Sequence, residues 1–381
     1  MTEMIAFEVQ PAAPMEAPLV SIILPIFNAG KHLRSCIRSL QWQDYANFEI
    51  IAIDDGSTDG SWDVLREYAE ADPRLIVRTR ENRGLIATLN EAIPLCQGDF
   101  IARMDADDIA YPERLSIQVA TFLADPDLAI CGCRYDILYG RDRILHIDGL
   151  RQSEAAALAA LVIFFPMLLH PTVMFRRSVV GDATLFYDRD YPFAEDFDLF
   201  RRIARRHRVR ITDETLLAYR VHETSVSATS KAAMRRTHIK ILSENLKSAH
   251  GYVLDDRLAE VIDVVSEESV ERAARAITDL DRIAACAAFS LRPAYHEGVQ
   301  NLFFFLYTII WESERTDLLR AFVERCDRMH NIRRRERYLL RSRIPRRGGA
   351  VMLKALGIID AVVRHFKSRP ADKVIAGYER P

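Results

Sequence analysis

The chain has 381 residues, of which 49% are hydrophobic and 28% charged, with a formal net charge of −2. That length holds one large domain plus a second, and the balanced charge leaves no global case for binding nucleic acid. The six cysteines (Cys36, Cys96, Cys131, Cys133, Cys286 and Cys326) lack metal-knuckle spacing and fit free, mostly buried thiols in a reducing cytoplasm.

Residues 1–18 are rich in proline and alanine, without a basic segment leading into an apolar one. They read as a flexible tail and not as a signal peptide. From Leu19 apolar runs alternate with helical periodicity. Strands are expected at Val20 to Leu24, Phe48 to Ile53, Leu75 to Thr79 and Phe100 to Met104. Helices are expected at Lys31 to Gln41, Ser61 to Ala71 and Leu85 to Leu95. This order implies a parallel sheet with right-handed crossovers, whose ligands bind beyond the carboxyl ends of the strands. Further strands are expected at Leu128 to Leu138, Thr172 to Phe175 and Thr215 to Val221, and a helix opens near Glu195 and runs into the basic stretch Arg201 to Arg210. Ala155 to Leu169 reads as a buried helix, too short to span a bilayer. Beyond about Ser230 the pattern is nearly all helical, so residues 231–381 are expected to form a helical C-terminal domain.

Two acidic clusters fall at expected strand ends, Asp54-Asp55 and Asp105-Ala106-Asp107-Asp108. Carboxylates at i and i+2 past a strand can converge on a hard divalent cation through oxygen. The other reading is a solvated acidic turn in which Asp108 starts the next helix. No Gly-Lys-Ser/Thr follows a strand, so a P-loop is not indicated.

Four segments in order, Val20 to Asn28, Phe48 to Asp59, Asn82 to Asn90 and Gly98 to Asp108, resemble family 2 glycosyltransferases. These are inverting enzymes of the GT-A fold that use nucleotide-diphosphate sugars. The resemblance covers about Leu19 to Ser227 and implies an α/β GT-A domain over residues 19–230. It implies that Pro25, Phe27, Asn28, Asp54, Asp55, Asn82, Gly84, Asn90, Arg103 and Asp105 bind the donor, with Asp55 reading the base of a UDP-sugar. It further implies that Asp105 and Asp107 hold Mn²⁺ or Mg²⁺ against the diphosphate, with His222 closing over it. Glu195-Asp196 matches the family's Glu-Asp pair, which makes Asp196 the general base, with Glu195 and His170 on the acceptor side. Gly84 is expected to serve backbone geometry.

The acceptor is expected to be a glycan or a lipid-linked glycan in surface polysaccharide synthesis. Two other readings stay open: a sugar-nucleotide nucleotidyltransferase, which would carry a Gly-rich loop where Pro25 to Gly30 stands, and a non-catalytic binding module. A processive synthase is not indicated, because the Gln-x-x-Arg-Trp motif is absent. Residues 328–347 contain nine arginines against one acid, Glu336, and an amphipathic segment follows to Phe366. This part either lies on an anionic membrane surface, as a peripheral cytoplasmic enzyme would, or docks on its own bundle. A homo-oligomer is compatible with these features.

Overall fold

In a computed structural model of the protein the described residues are 17–139, 143–146, 155–221, 230–341, 369–370 and 378. His222, the N-terminal tail up to residue 16 and most of the basic C-terminal segment lie outside them.

Strands β1 (Val20–Ile26), β2 (Phe48–Asp54), β3 (Leu75–Thr79) and β4 (Phe100–Arg103) form the parallel part of the sheet, with β1 between β2 and β4. Every residue of β1, β2 and β4 is buried, which is why these strands read as continuous apolar runs. Alternate side chains face opposite layers. Val20, Ile22 and Leu24 pack with α1 (Leu33–Gln41), α2 (Ser61–Ala71) and α4 (Arg114–Ala124). Ile23, Ile51 and Ile53 face α3 (Leu85–Ala92) and the helices that follow.

The remaining strands are β5 (Ile109–Ala110), β6 (Leu128–Tyr139), β7 (Arg143–His146), β8 (Met174–Arg176), β9 (Arg208–Val221) and β10 (Arg369–Pro370). The sheet runs in the order β10-β7-β6-β8-β4-β1-β2-β3, with β9 parallel to β6 and β5 antiparallel to β9. Strand β8 inserts antiparallel to both β4 and β6. The sheet is therefore mixed, parallel at its N-terminal side and antiparallel around β8.

Several expected boundaries move. The helix expected over Ala155 to Leu169 is α5 (Ala155–Leu161) and stops before Phe165-Pro166. A residue preceding proline disfavours the helical conformation. Helix α6 (Arg177–Val180) follows β8 directly, and α7 (Glu195–Ala204) ends inside the basic stretch, which then becomes the start of β9. Strand β8 begins at Met174, after a 3₁₀ turn at His170–Thr172. Asp108 caps no helix, since α4 begins at Arg114.

Beyond residue 230 the described elements are helices α8 (Lys231–His250), α9 (Glu260–Asp263), α10 (Glu267–Cys286), α11 (Arg292–Glu312), α12 (Thr316–Arg325) and α13 (Arg334–Arg341), with β10 alone returning to the sheet edge. One hydrophobic cluster runs from Ile23 and Ile51 through α5 and α7 to Leu246, Ile277, Phe303 and Phe322. Buried Asn245 of α8 stitches the halves: its amide donates to the carbonyls of Val162 and Ile163 at 3.1 Å each, and its oxygen accepts from Arg201 and Arg205. Among the described residues no helix is long and apolar enough to cross a membrane. In the described part of the basic segment, Arg328 pairs with Asp281 at 2.6 Å and Arg337 donates to backbone carbonyls.

Candidate functional site

A cleft of about 2050 Å³ opens over the carboxyl ends of β1, β2 and β4. It gathers Pro25, Phe27, Asn28, Asp55, Asn82, Gly84, Arg103, Asp105, Asp107, His170, Glu195 and Asp196, twelve of the residues expected from the sequence. Asp54 and Asn90 do not line it. The Asp54 carboxylate is used internally, accepting from the Ser57 backbone at 3.2 Å and the Thr79 hydroxyl at 2.7 Å. The Asn90 amide exchanges two hydrogen bonds with the backbone of Tyr187, at 2.7 and 2.8 Å, and so anchors the loop before α7.

Asp55 faces the cleft but is already engaged. It accepts from the backbone N–H of Arg83 and of Gly84, at 2.8 Å each, and is ion-paired with Arg80. Gly84 has φ +85, which only glycine adopts at ease, and this turn brings its N–H onto Asp55. The acidic side chain thus shapes the Asn82–Gly84 wall. Across the cleft Phe27 is 53% exposed at the end of β1, and Asn28, itself at φ +50, accepts from the Thr58 N–H at 2.8 Å.

The second cluster follows β4. Asp105, Asp107 and Asp108 can each present an oxygen within 4.8 Å of the others. Asp108 is fully buried: one oxygen accepts from the Arg220 N–H at 2.7 Å, and the other has no hydrogen-bond partner among the described residues. Burial, followed by the charges of Asp107 and Asp105, pushes its carboxyl well above the usual range. An orphaned carboxylate oxygen beside two more carboxylates is the donor set a hard divalent cation takes, so these residues fit such an ion.

Arg103 is buried next to this cluster. Its guanidinium pairs with Asp105, and its Nε has no hydrogen-bond partner among the described residues. On the opposite wall α7 starts at Glu195, and Asp196 accepts from the Phe197 N–H at 2.7 Å. Burial raises both carboxyls, Asp196 to about 6 and Glu195 to about 7, the latter also through the charge of Asp196. The free N–H groups of a helix start hold such acids in place. His170 is buried against Phe200 and hydrogen-bonded at 2.8 Å to the Tyr187 hydroxyl, and burial lowers its pKa, so it is neutral.

The sequence reading missed a whole wall. Met234 and His238 of α8, and Pro293, His296, Glu297, Gln300 and Asn301 of α11, line the same cleft. The signal was present as a polar stripe, His296, Glu297, Gln300 and Asn301 at i, i+1, i+4 and i+5, in a helix that is largely apolar beyond it. What the stripe faces depends on tertiary packing.

The α/β sheet thus places an acidic cluster after β4 and an acid pair at the start of α7 in one cleft at the carboxyl ends of its strands. The Glycosyl transferase family 2 model matches residues 21–183. An uncharacterized glycosyltransferase of Haemophilus influenzae is 30% identical over 249 residues, 60% of this chain and 73% of that protein. The putative colanic acid biosynthesis glycosyl transferase WcaA of Escherichia coli is 31% identical over 199 residues, 49% of this chain and 66% of that one. The chain belongs to glycosyl transferase family 2. Two solved structures share the fold at 17% identity each: S. aureus TarS 1–349 in complex with UDP-GlcNAc (TM-score 0.52; 81% of this chain, 89% of that one) and the mannosyltransferase PcManGT of Pyrobaculum calidifontis in complex with GDP-Man and Mn²⁺ (TM-score 0.50; 96% and 86%). The family removes the nucleotidyltransferase and non-catalytic readings.

Proposed function

We propose that the chain transfers a sugar, with inversion, from a nucleotide-diphosphate sugar of the UDP type to a hydroxyl of a glycan or lipid-linked acceptor in surface polysaccharide synthesis. The observation that carries this reading is the cleft that joins the acidic cluster of β4 to the acid pair of α7. The complexes of the two fold neighbours and the name of the Escherichia coli relative support donor and pathway class.

In this reading Phe27 offers a face for the base, and the Asn82–Gly84 wall held by Asp55 bounds the nucleotide. Asp105 and Asp107, with Asp108 behind them, would hold Mn²⁺ or Mg²⁺, which supplies charge neutralisation for the departing diphosphate. Arg103 balances the surrounding carboxylates. Asp196 takes the proton of the attacking hydroxyl, and its burial keeps the carboxylate basic enough for that step. His222 would contribute from outside the described residues.

The test is nucleotide release from a panel of UDP- and GDP-sugars with and without Mn²⁺. The wild type is expected to release nucleotide from one donor only with the metal. Asp196→Asn should lower transfer by ~10²–10⁴-fold while the donor still raises the thermal midpoint. Equal turnover in that variant would remove Asp196 as the base, and silence toward every donor would overturn the reading.

A further inference from the structure

The cleft is larger than one donor needs. At about 2050 Å³ it is twice the roughly 1,000 Å³ that bounds most small-molecule pockets. The elements that hold the donor residues wall only one half. We propose that His238 of α8 and His296, Gln300 and Asn301 of α11, with Phe193 at the rim, form a subsite for the neutral saccharide end of the acceptor. This rests on the glycosyl-transfer reading and adds which wall recognises the acceptor and what chemistry it accepts.

The wall is built to bind. On α11 these residues occupy one face, while Ala294, Val299, Leu302 and Phe303 on the others are buried in the core. The Gln300 side-chain oxygen accepts from Arg328 and Asn331, which fixes the amide, and its nitrogen donates to no described residue. The side chains of His296 and Asn301 make no hydrogen bond among the described residues, although both line the cleft. His238 is wedged between Phe197 and Phe305, with ring centroids at 5.5 and 6.0 Å, and burial lowers it to about 4, so it is a neutral ring able to donate and accept. Amides and neutral imidazoles present donor and acceptor together, the complement of a sugar hydroxyl, which is both.

Phe193 adds a stacking face. It is 41% exposed, lines the cleft two residues before Glu195, and holds φ +64, which a bulky aromatic side chain rarely adopts. Strain of this kind persists where the surroundings enforce it, and it clusters at ligand sites. Charge narrows the ligand. No lysine or arginine of α8 or α11 lines the cleft, the lining cations Lys31, Arg103 and Arg134 being carried by the sheet half, so this wall itself offers no cation to a phosphate or carboxylate. The wall also lies wholly beyond the family match at residues 21–183, where acceptor preference can differ while the donor half is shared.

The full chain, loaded with UDP and Mn²⁺, is to be assayed on immobilised neutral oligosaccharides, uronate oligosaccharides and vesicles carrying a polyprenyl phosphate. The wild type is expected to retain a neutral oligosaccharide. The double variant H296A/N301A should weaken that binding about tenfold more than it weakens nucleotide-sugar affinity, as the loss of two hydrogen bonds predicts. The near-isosteric Asn301→Asp gives the same direction without a cavity. Unchanged saccharide affinity in both variants, retention of only the uronates or the vesicles, or retention of none of the three overturns the subsite. A nucleotide-sugar that fails to raise the wild-type thermal midpoint counts instead against the glycosyl-transfer reading.

Discussion

Asp196 and Glu195 sit where burial keeps a carboxyl partly protonated near neutrality, and this has opposite consequences for rate and stability. A base works only when unprotonated, so the transfer rate should climb with pH between about 6 and 7 and then level off; a flat profile over that window would exclude these groups from the rate-limiting step. For stability, a carboxyl raised above its unfolded value favours the fold when protonated, and that contribution is lost as pH rises through the folded pKa. Asp196→Asn should therefore unfold a few degrees higher than wild type at pH 8, with the advantage gone near pH 4. Asp55 carries a different load. Removing its charge leaves Arg80 with Glu91 as its remaining carboxylate partner and frees the Arg83 and Gly84 N–H groups, so Asp55→Ala should cost about 2 kcal/mol in chemical denaturation.

At the scale of elements, α11 meets the core through a glycine. A Cβ at Gly298 would collide with the Phe164 ring, so the helix and the turn after α5 touch backbone to ring. Gly298→Ala should lower stability by about 1–3 kcal/mol, read as a lower denaturant midpoint; an unchanged midpoint would show that the ring moves freely. The same scale explains what the sequence disclosed. β1, β2 and β4 are buried on both faces and so announce themselves as apolar runs, and the acidic residues after them fall at strand ends by connectivity alone. Strand β9 was legible only in its buried second half, because its first residues, Arg208 to Arg210, continue the basic stretch that opens in α7. The inward use of Asp54 and Asn90 could not be read, since their partners Thr79 and Tyr187 are 25 and 97 residues away. The polar stripe of α11 could be read, but its place on the cleft comes from packing between distant helices.

Across the whole molecule the change from sheet to helices at residue 230 is a change of element type, while the hydrophobic cluster runs through it. A fragment ending at residue 230 would expose the face of α5 that α11 covers and the face of α7 that α8 covers, so it should aggregate or lose its cooperative melt. A soluble fragment with a sharp transition would contradict this. Asn245 carries the point into engineering. Among the described residues its amide nitrogen donates to the carbonyls of Val162 and Ile163 alone, and a Cβ at Gly298 would meet the Phe164 ring. A chimera that transplants the helical half onto another sheet must therefore bring the turn at 162–164 with it. Its workable seam lies upstream of α5, so the helices and the turn that receives them behave as a single inherited cassette.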